Sequence, residues 1–528
     1  MKKLFQTYAG VIVLYIVFAI IQIVVIASKQ NYYVDEIFSY GSANYTESCS
    51  MQPRPAPYTY SPAGEAYYEY MTVDEDAGLN VDVVWKNQAA DVHPPLYYLF
   101  VHILSCLYKG RYTKWIVGVI NIVFMLMTLC GVRQIAGLME KDSKITMAIS
   151  LFFIMSAEVL SSVSFFRMYI MTMCEVIWLT YLLIRYYQRE TIWFYLMTGI
   201  VSVCGALTHY YFLIYLFWAS VIYCIGLLTS KKIKRALFYI CTMAASGAAA
   251  VLIFPQMIYH MFGGGYRGTE SFQNLHKGMR QYATNLKAFF SIINDRLFGG
   301  MILILLIMLL FAGILYLQKS KWKLYLQKCR DNWEWAILLG PALLYFLLVS
   351  KIAVYNVDRY MMPVYAVLVV GVLLVITRLL RRVFGNHERN TKIVLILILS
   401  IMLIDGWKNC TWPYLYLETK QRVDTIKEYS ALDCLCICQK GDEWKTYGNF
   451  VELCKLNSIT FFPDGLKPLQ SMNELNGKSQ YLIYIYGADD EEILTELQDI
   501  CPQITGYEKL DGIGYASVYH VYGWNETM

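Results

Sequence analysis

Apolar residues in this chain are gathered into blocks of about 18 to 25 positions rather than alternating with polar ones, and each block is long enough to cross the roughly 30 Å hydrocarbon layer of a bilayer as a helix. The blocks fall near residues 4–28, 93–108, 115–131, 145–166, 168–187, 192–208, 211–229, 236–258, 297–317, 333–350, 360–380 and 391–407. The first follows Met1-Lys2-Lys3, exceeds the core of a signal peptide and lacks a small-x-small cleavage site, so it reads as a retained helix. After Trp412-Pro413 the pattern changes. Short apolar runs at 432–438, 457–462, 480–486 and 514–522 predict strands, and 490–500 predicts a helix, so residues 420–528 read as a small α/β domain. The loop 263–296 opens with Gly263-Gly264-Gly265 and continues with aromatic and basic residues at helical spacing, which suggests a hinge and an interfacial helix.

Composition excludes a soluble globule. The 528 residues are 57% hydrophobic and only 16% charged, with a mean hydropathy of +0.40. The net charge of +5 does not point to nucleic acid, because the Lys/Arg excess lies in short loops between apolar blocks. Those loops set the orientation instead. Lys2-Lys3, Arg185/Arg189, Lys231 to Arg235, Lys319 to Arg330 and Arg378 to Lys392 belong on the cytoplasmic side, which leaves the loop 29–92 and everything after residue 408 outside. Twelve passes cannot join an inside start to an outside end. An additional crossing is expected between Gly131 and Met168, where Lys141-Asp142-Ser143-Lys144 and Ser156-Ala157-Glu158 interrupt the apolar run, giving about thirteen transmembrane helices. The 14 cysteines show no metal-binding spacing, and Asp433-Cys434-Leu435-Cys436-Ile437-Cys438 reads as a strand.

Candidate chemistry concentrates in the first outer loop. It holds ten acidic residues against three basic ones, begins with the pair Asp35-Glu36, and ends in Asp91-Val92-His93-Pro94-Pro95-Leu96-Tyr97-Tyr98 at the mouth of the second apolar block. The Pro-Pro step is geometry, since proline presets φ and opens a helix without wasting a donor. Three cations stand on the outer side against the usual charge asymmetry: Arg167 opens one block, and Lys351 and Arg359 flank the outer end of another.

An acidic pair after the first helix, a D-x-H-P-P-L-Y-Y entrance and Arg167-Met168-Tyr169 opening a later helix together resemble the GT-C superfamily of membrane glycosyltransferases. The similarity is to the protein O-mannosyltransferase and aminoarabinose-transferase branch, and it covers roughly residues 1 to 380. The resemblance implies an extracytoplasmic active site in the loop 29–92; the apolar and charge pattern itself sets the transmembrane domain at 1–412, a second outer loop at 263–296 and an extracytoplasmic α/β domain at 420–528 to which the resemblance does not extend. The resemblance further implies a polyprenyl-phosphate sugar donor, transfer with inversion to an acceptor outside the membrane, and often a divalent cation.

Such a transfer needs a base for the acceptor hydroxyl and positive charge for the departing phosphate. Asp35 is the candidate base, Glu36 its supporting acid, and Asp91 a third catalytic candidate. A metal, if used, would fall to Asp35 and Asp91, since hard cations favour carboxylate oxygen. Arg167, Lys351 and Arg359 are candidates for the donor phosphate, because a guanidinium fork suits a phosphate, while His93 is a candidate to donate a hydrogen bond to substrate or ligate a metal, with a bond to backbone that fixes the turn as its alternative. Tyr169, His209 and Tyr360 lie near them in sequence, as does Tyr210; each has an aromatic-belt role as its alternative in a chain with 45 tyrosines. Each cation in turn has snorkelling to lipid headgroups as its alternative. Two other classes remain open on the sequence: a transporter or flippase for lipid-linked sugars, and an inactive relative whose outer domain binds a cell-wall polymer. The sequons at Asn44, Asn409 and Asn525 carry no weight without a glycosylating compartment.

Overall fold

The computed structural model describes residues 2–50, 57–262, 266–306, 332–385, 387–466, 480–510 and 514–523. By their contacts the residues form two compact units. One comprises Met1–Val25, Asp91–Tyr97 and Val117–Trp412; the other comprises Ile26–Ala90, Tyr98–Ile116 and Pro413–Met528.

The first unit is helical. Ala9–Ser28, Trp115–Met139, Tyr210–Thr229, Ile233–Ile253, Trp333–Ile352, Met362–Phe384 and Glu388–Asn409 are long and apolar enough to cross a membrane, and Ser143–Met155 with Ala157–Val163 forms a further candidate bent by 54°. Tyr169–Tyr186 and Ile192–Thr208 account for two more of the expected blocks. The protein is thus a multi-pass α-helical membrane protein. The block at 297–317 and the three glycines at 263–265 lie wholly or partly outside the described residues.

The interruption expected near Glu158 is a break at Ser156, whose extended backbone (φ −66°, ψ 122°) caps the short helix Ala157–Val163. Non-helical backbone at membrane depth survives only when buried in protein, and Ser156 is 2% exposed. The expected entrance helix is Leu96–Ser105, of ten residues. At 1.5 Å per residue it measures about 15 Å, half the hydrocarbon thickness, so it is an entrance helix rather than a full span. Two helices, Tyr266–His276 and Met279–Ser291, occupy the loop 263–296. Their amides dock on the end of Trp333–Ile352: Asn274 Nδ2 donates to Ile352 O (3.1 Å) and Ala353 O (2.9 Å), and Asn285 Nδ2 to Ser350 O (3.2 Å). These bonds satisfy carbonyls that a helix C-terminus leaves open.

The second unit is built on a six-stranded sheet ordered β1-β3-β2-β4-β6-β5. The strands are β1 (Tyr58–Tyr60), β2 (Asp433–Cys438), β3 (Ser458–Leu466), β4 (Gln480–Tyr486), β5 (Ile504–Leu510) and β6 (Ala516–Gly523). β2 runs parallel to both β3 and β4, and these central strands are almost wholly buried, as parallel strands covered on both faces should be. The helix Asp490–Ile500 covers one face through Ile493, Leu494 and Leu497. β1 comes from the loop 29–92, pairing antiparallel with β3 (Thr59 opposite Thr460), so the domain expected over 420–528 also takes in chain from that loop.

Candidate functional site

In the second unit, Lys29 ends the first helix and folds into the interior. Its ammonium lies 3.0 Å from Glu36, with both side chains fully buried, and donates to Tyr414 O at 2.6 Å. Burial pulls the Lys29 amine below its usual range, and the Glu36 carboxylate opposes the fall. Glu36 also accepts the Tyr33 N–H at 2.6 Å, closing the first turn of the helix Val34–Asn44. Glu36 is therefore engaged in holding that helix. Asp35, next to it, is half-buried in the same first turn. Lys114 caps the preceding helix by donating to Ala27 O (2.8 Å) and Lys29 O (3.0 Å), adding positive charge where a helix C-terminus favours it.

The first unit gathers most of the other candidates in one place. His93 Nδ1 lies 2.7 Å from Asp91 Oδ2, and Arg167 Nη2 lies 3.1 Å from His93 Nε2. Because a guanidinium only donates, Nε2 is the acceptor and Nδ1 carries the proton given to Asp91. Burial alone would raise the Asp91 carboxyl, but His93, Arg167 and the Val92 amide outweigh it and hold it below the usual carboxylate range. His209 sits at the break between Ile192–Thr208 and Tyr210–Thr229, where its Nδ1 caps the second helix by accepting the Tyr211 N–H at 3.0 Å. Burial, reinforced by the positive charge of Arg167 and Arg359, pushes the His209 imidazole well below its ordinary value.

Aromatic rings wall this cluster. Tyr169 lies 5.1 Å from His209 and stacks on Phe165 at 5.7 Å. Arg359 rises from the 3-10 turn Asp358–Tyr360, with its guanidinium over Phe165 (5.9 Å) and Tyr360 (5.8 Å). Tyr211 bridges His209 (5.1 Å) and Tyr360 (5.2 Å). Arg167 and Arg359 are 4% and 9% exposed, so two guanidiniums sit nearly out of water beside the Asp91 carboxylate. The site brings together Asp91, His93, Arg167, Tyr169, His209, Arg359 and Tyr360. Tyr210 points instead to His260, its hydroxyl 2.8 Å from Nδ1. Lys351 belongs to another neighbourhood: it donates to Lys277 O, lies over the Tyr282 ring and lines a small groove with Asn274, Gln281, Asn285 and Asn356.

Sequence reasoning missed the polar support behind Arg359. Asp358 pairs with Arg296 at 3.5 Å, and Arg296 comes from the π-helical turn Ile292–Leu297, a form concentrated at functional sites. Glu158, beside the Ser156 break, accepts the Tyr365 hydroxyl at 2.9 Å. Charges inside apolar blocks were the signal available for Glu158.

A divalent cation finds a poor donor set here. Among the described residues no three His, Cys, Asp or Glu side chains converge. Asp91 is bonded to the protonated nitrogen of His93, and the other nitrogen accepts from Arg167, so both imidazole positions are occupied and a fixed positive charge stands alongside.

No protein-family model matches the chain, and no curated protein does. Among solved structures it is similar to the crystal structure of ArnT from Cupriavidus metallidurans bound to undecaprenyl phosphate, with a TM-score of 0.51 over 97% of this chain and 98% of that chain, at 11% identity. At that identity the likeness is one of fold. The chain shares the overall fold of that structure, a polytopic helical membrane protein as the apolar blocks led one to expect.

Proposed function

We propose that the protein is an inverting membrane glycosyltransferase that moves a sugar from a polyprenyl phosphate to an acceptor on the outer face of the membrane. The observation that carries this reading is the convergence of two nearly buried guanidiniums, Arg167 and Arg359, around the buried His209. A guanidinium fork matches phosphate oxygens, and two of them side by side suit the charge that develops on a departing phosphate. The fold it shares with a structure holding undecaprenyl phosphate supports a lipid-linked donor.

In the reaction, the Asp35 carboxylate takes the proton of the acceptor hydroxyl as its oxygen attacks the anomeric carbon. The bond from that carbon to the donor phosphate breaks, the electron pair leaves with the phosphate, and Arg167 and Arg359 stabilise its charge. Asp91 orients His93, and Tyr169, Tyr211 and Tyr360 keep water from the phosphate. Asp35 is taken as base from the family resemblance.

The proposed topology places the N-terminus in the cytoplasm and the C-terminal domain outside. With Leu96–Ser105 too short to cross, eleven apolar blocks remain. An odd number joins those two sides, and the 54° break at Ser156 then bends one crossing instead of separating two.

The test is turnover by the purified wild-type protein of short-chain polyprenyl-phosphate hexoses and pentoses, with release of polyprenyl phosphate as the readout. A protein that consumes none of them yet carries the lipid across a vesicle bilayer is a flippase, and the reading falls.

A further inference from the structure

The C-terminal domain has so far no role, yet within its unit it is built into the catalytic loop. The helix Val34–Asn44, which carries Asp35 in its first turn, is approached at its last turn by the ring of Tyr70: a Cβ added to Gly41 would stand 1.8 Å from Tyr70 Cζ. A glycine there lets an aromatic ring lie directly on helix backbone. Tyr70 in turn stacks on Tyr447 of the C-terminal segment, with ring centres 5.5 Å apart and planes within 7°. Tyr447 also meets Phe38 edge-on at 5.1 Å, and Phe38 follows Asp35 by three positions, on the same face of the helix. One C-terminal tyrosine thus touches the Asp35 helix directly and, through Tyr70, indirectly.

Tyr447 is itself held from behind. It lies in the helical segment Glu443–Leu453, which is fixed to the sheet by the Tyr486 hydroxyl donating to Asn449 Oδ1 (3.1 Å) and to the helix Thr419–Glu428 by the buried pair Arg422–Glu452 (2.6 Å). Asn31, three residues before the helix, donates to Gly448 O at 2.9 Å. Aromatic pairs in buried networks have fixed geometry and low side-chain entropy, so they transmit position well.

We propose that the C-terminal domain is the positioning frame of the catalytic loop, and that Tyr447 is the positioning residue through which the sheet sets the placement of Asp35. The turnover arm of its test rests on the glycosyltransferase reading; the arm on backbone protection does not.

The test compares full-length Tyr447→Ala, Tyr447→Phe and Gly41→Ala with wild type. Hydrogen exchange is followed across Val34–Asn44 and across β4, together with kcat on a short-chain polyprenyl-phosphate sugar and Kd for undecaprenyl phosphate. Tyr447→Ala and Gly41→Ala should each speed exchange in Val34–Asn44 by about tenfold or more while β4 keeps its protection. Both should lower kcat by about tenfold or more with Kd within about twofold, and Tyr447→Phe should restore both readouts to near wild type. Unchanged exchange in Val34–Asn44 in the two disruptive variants overturns the proposal whether or not the protein turns over. So does loss of protection in β4 together with the loop, which would make Tyr447 a general stabiliser. A wild type that shows the exchange effect and no turnover on any donor removes the glycosyltransferase reading and leaves the frame.

Discussion

Arg167 donates to the same histidine that Asp91 orients: its Nη2 stands 3.1 Å from His93 Nε2. That contact decides which imidazole nitrogen carries the proton, and it keeps one guanidinium at the site beside Arg359. Removing a cation from a nearly buried phosphate contact costs about 2 to 3 kcal/mol, about thirtyfold to somewhat over a hundredfold in affinity. Arg167→Gln and Arg359→Gln should therefore each weaken undecaprenyl phosphate binding to that degree, measured by titration of the detergent-solubilised protein. Wild-type affinity in a normally inserted variant would return that arginine to lipid snorkelling.

Asp35→Asn keeps the size of the side chain and removes its basicity. Turnover should fall by about 10² to 10⁴, the usual weight of general acid-base assistance, with lipid binding retained, since the proposed phosphate ligands are Arg167 and Arg359. Equal losses in turnover and binding would deny Asp35 a part in the chemical step.

The Lys29–Glu36 pair is fully buried, and removing one partner of such a pair costs about 3 to 5 kcal/mol by stranding the other charge. Lys29→Met or Glu36→Leu alone should lower the thermal midpoint sharply, whereas the double variant should recover most of it. Turnover should return along with stability if Glu36 acts by holding the helix. A stable but inactive double variant would make Glu36 a chemical participant.

The acid limb of stability should carry the Asp91 signature. Its folded pKa is depressed, so its favourable contribution is present above the unfolded carboxylate value of about 4 and is lost as pH falls through the folded value. Between about pH 4 and pH 2 the wild type should lose thermal stability faster than Asp91→Asn. Identical slopes would show that His93 and Arg167 leave that carboxyl unperturbed.

Reporters fused after Lys234 and after Lys420 should fall on opposite sides of the membrane, cytoplasmic and outer respectively. Agreement between the two would overturn the parity of eleven crossings.

Much of the architecture was legible because membrane helices and buried strands announce themselves by apolar runs. The expected strand at 480–486 and helices at 192–208 and 490–500 coincide with the observed elements. β5 was missed because Gly506, Glu508 and Lys509 break its apolar run and most of it is exposed at a sheet edge. β1 was missed because three residues in a tyrosine-rich loop become a strand only through a distant partner. The cationic cluster was legible in part: an arginine at an outer helix end violates charge asymmetry, but nothing in sequence says that Arg359 and Arg167 share one histidine's surroundings. Lys351 carried the same signal and lies in a different groove. Lys29 gave no signal, since a lysine after a membrane helix looks like a headgroup anchor, and only the fold reveals Glu36 beneath it.

The pairing of β1 with β3 sets a timetable for biogenesis. Thr59 and Thr460, whose hydroxyls meet at 2.8 Å, are 401 residues apart. At roughly 5 to 20 residues per second of synthesis, the early segment waits about 20 to 80 s for its partner strand. Throughout that interval the first outer loop is without the edge it will join, and contacts of such long separation form late and slowly. The nascent protein can therefore insert its membrane helices well before the loop is complete, and a ribosome that stalls anywhere short of residue 460 releases a chain without this strand pairing.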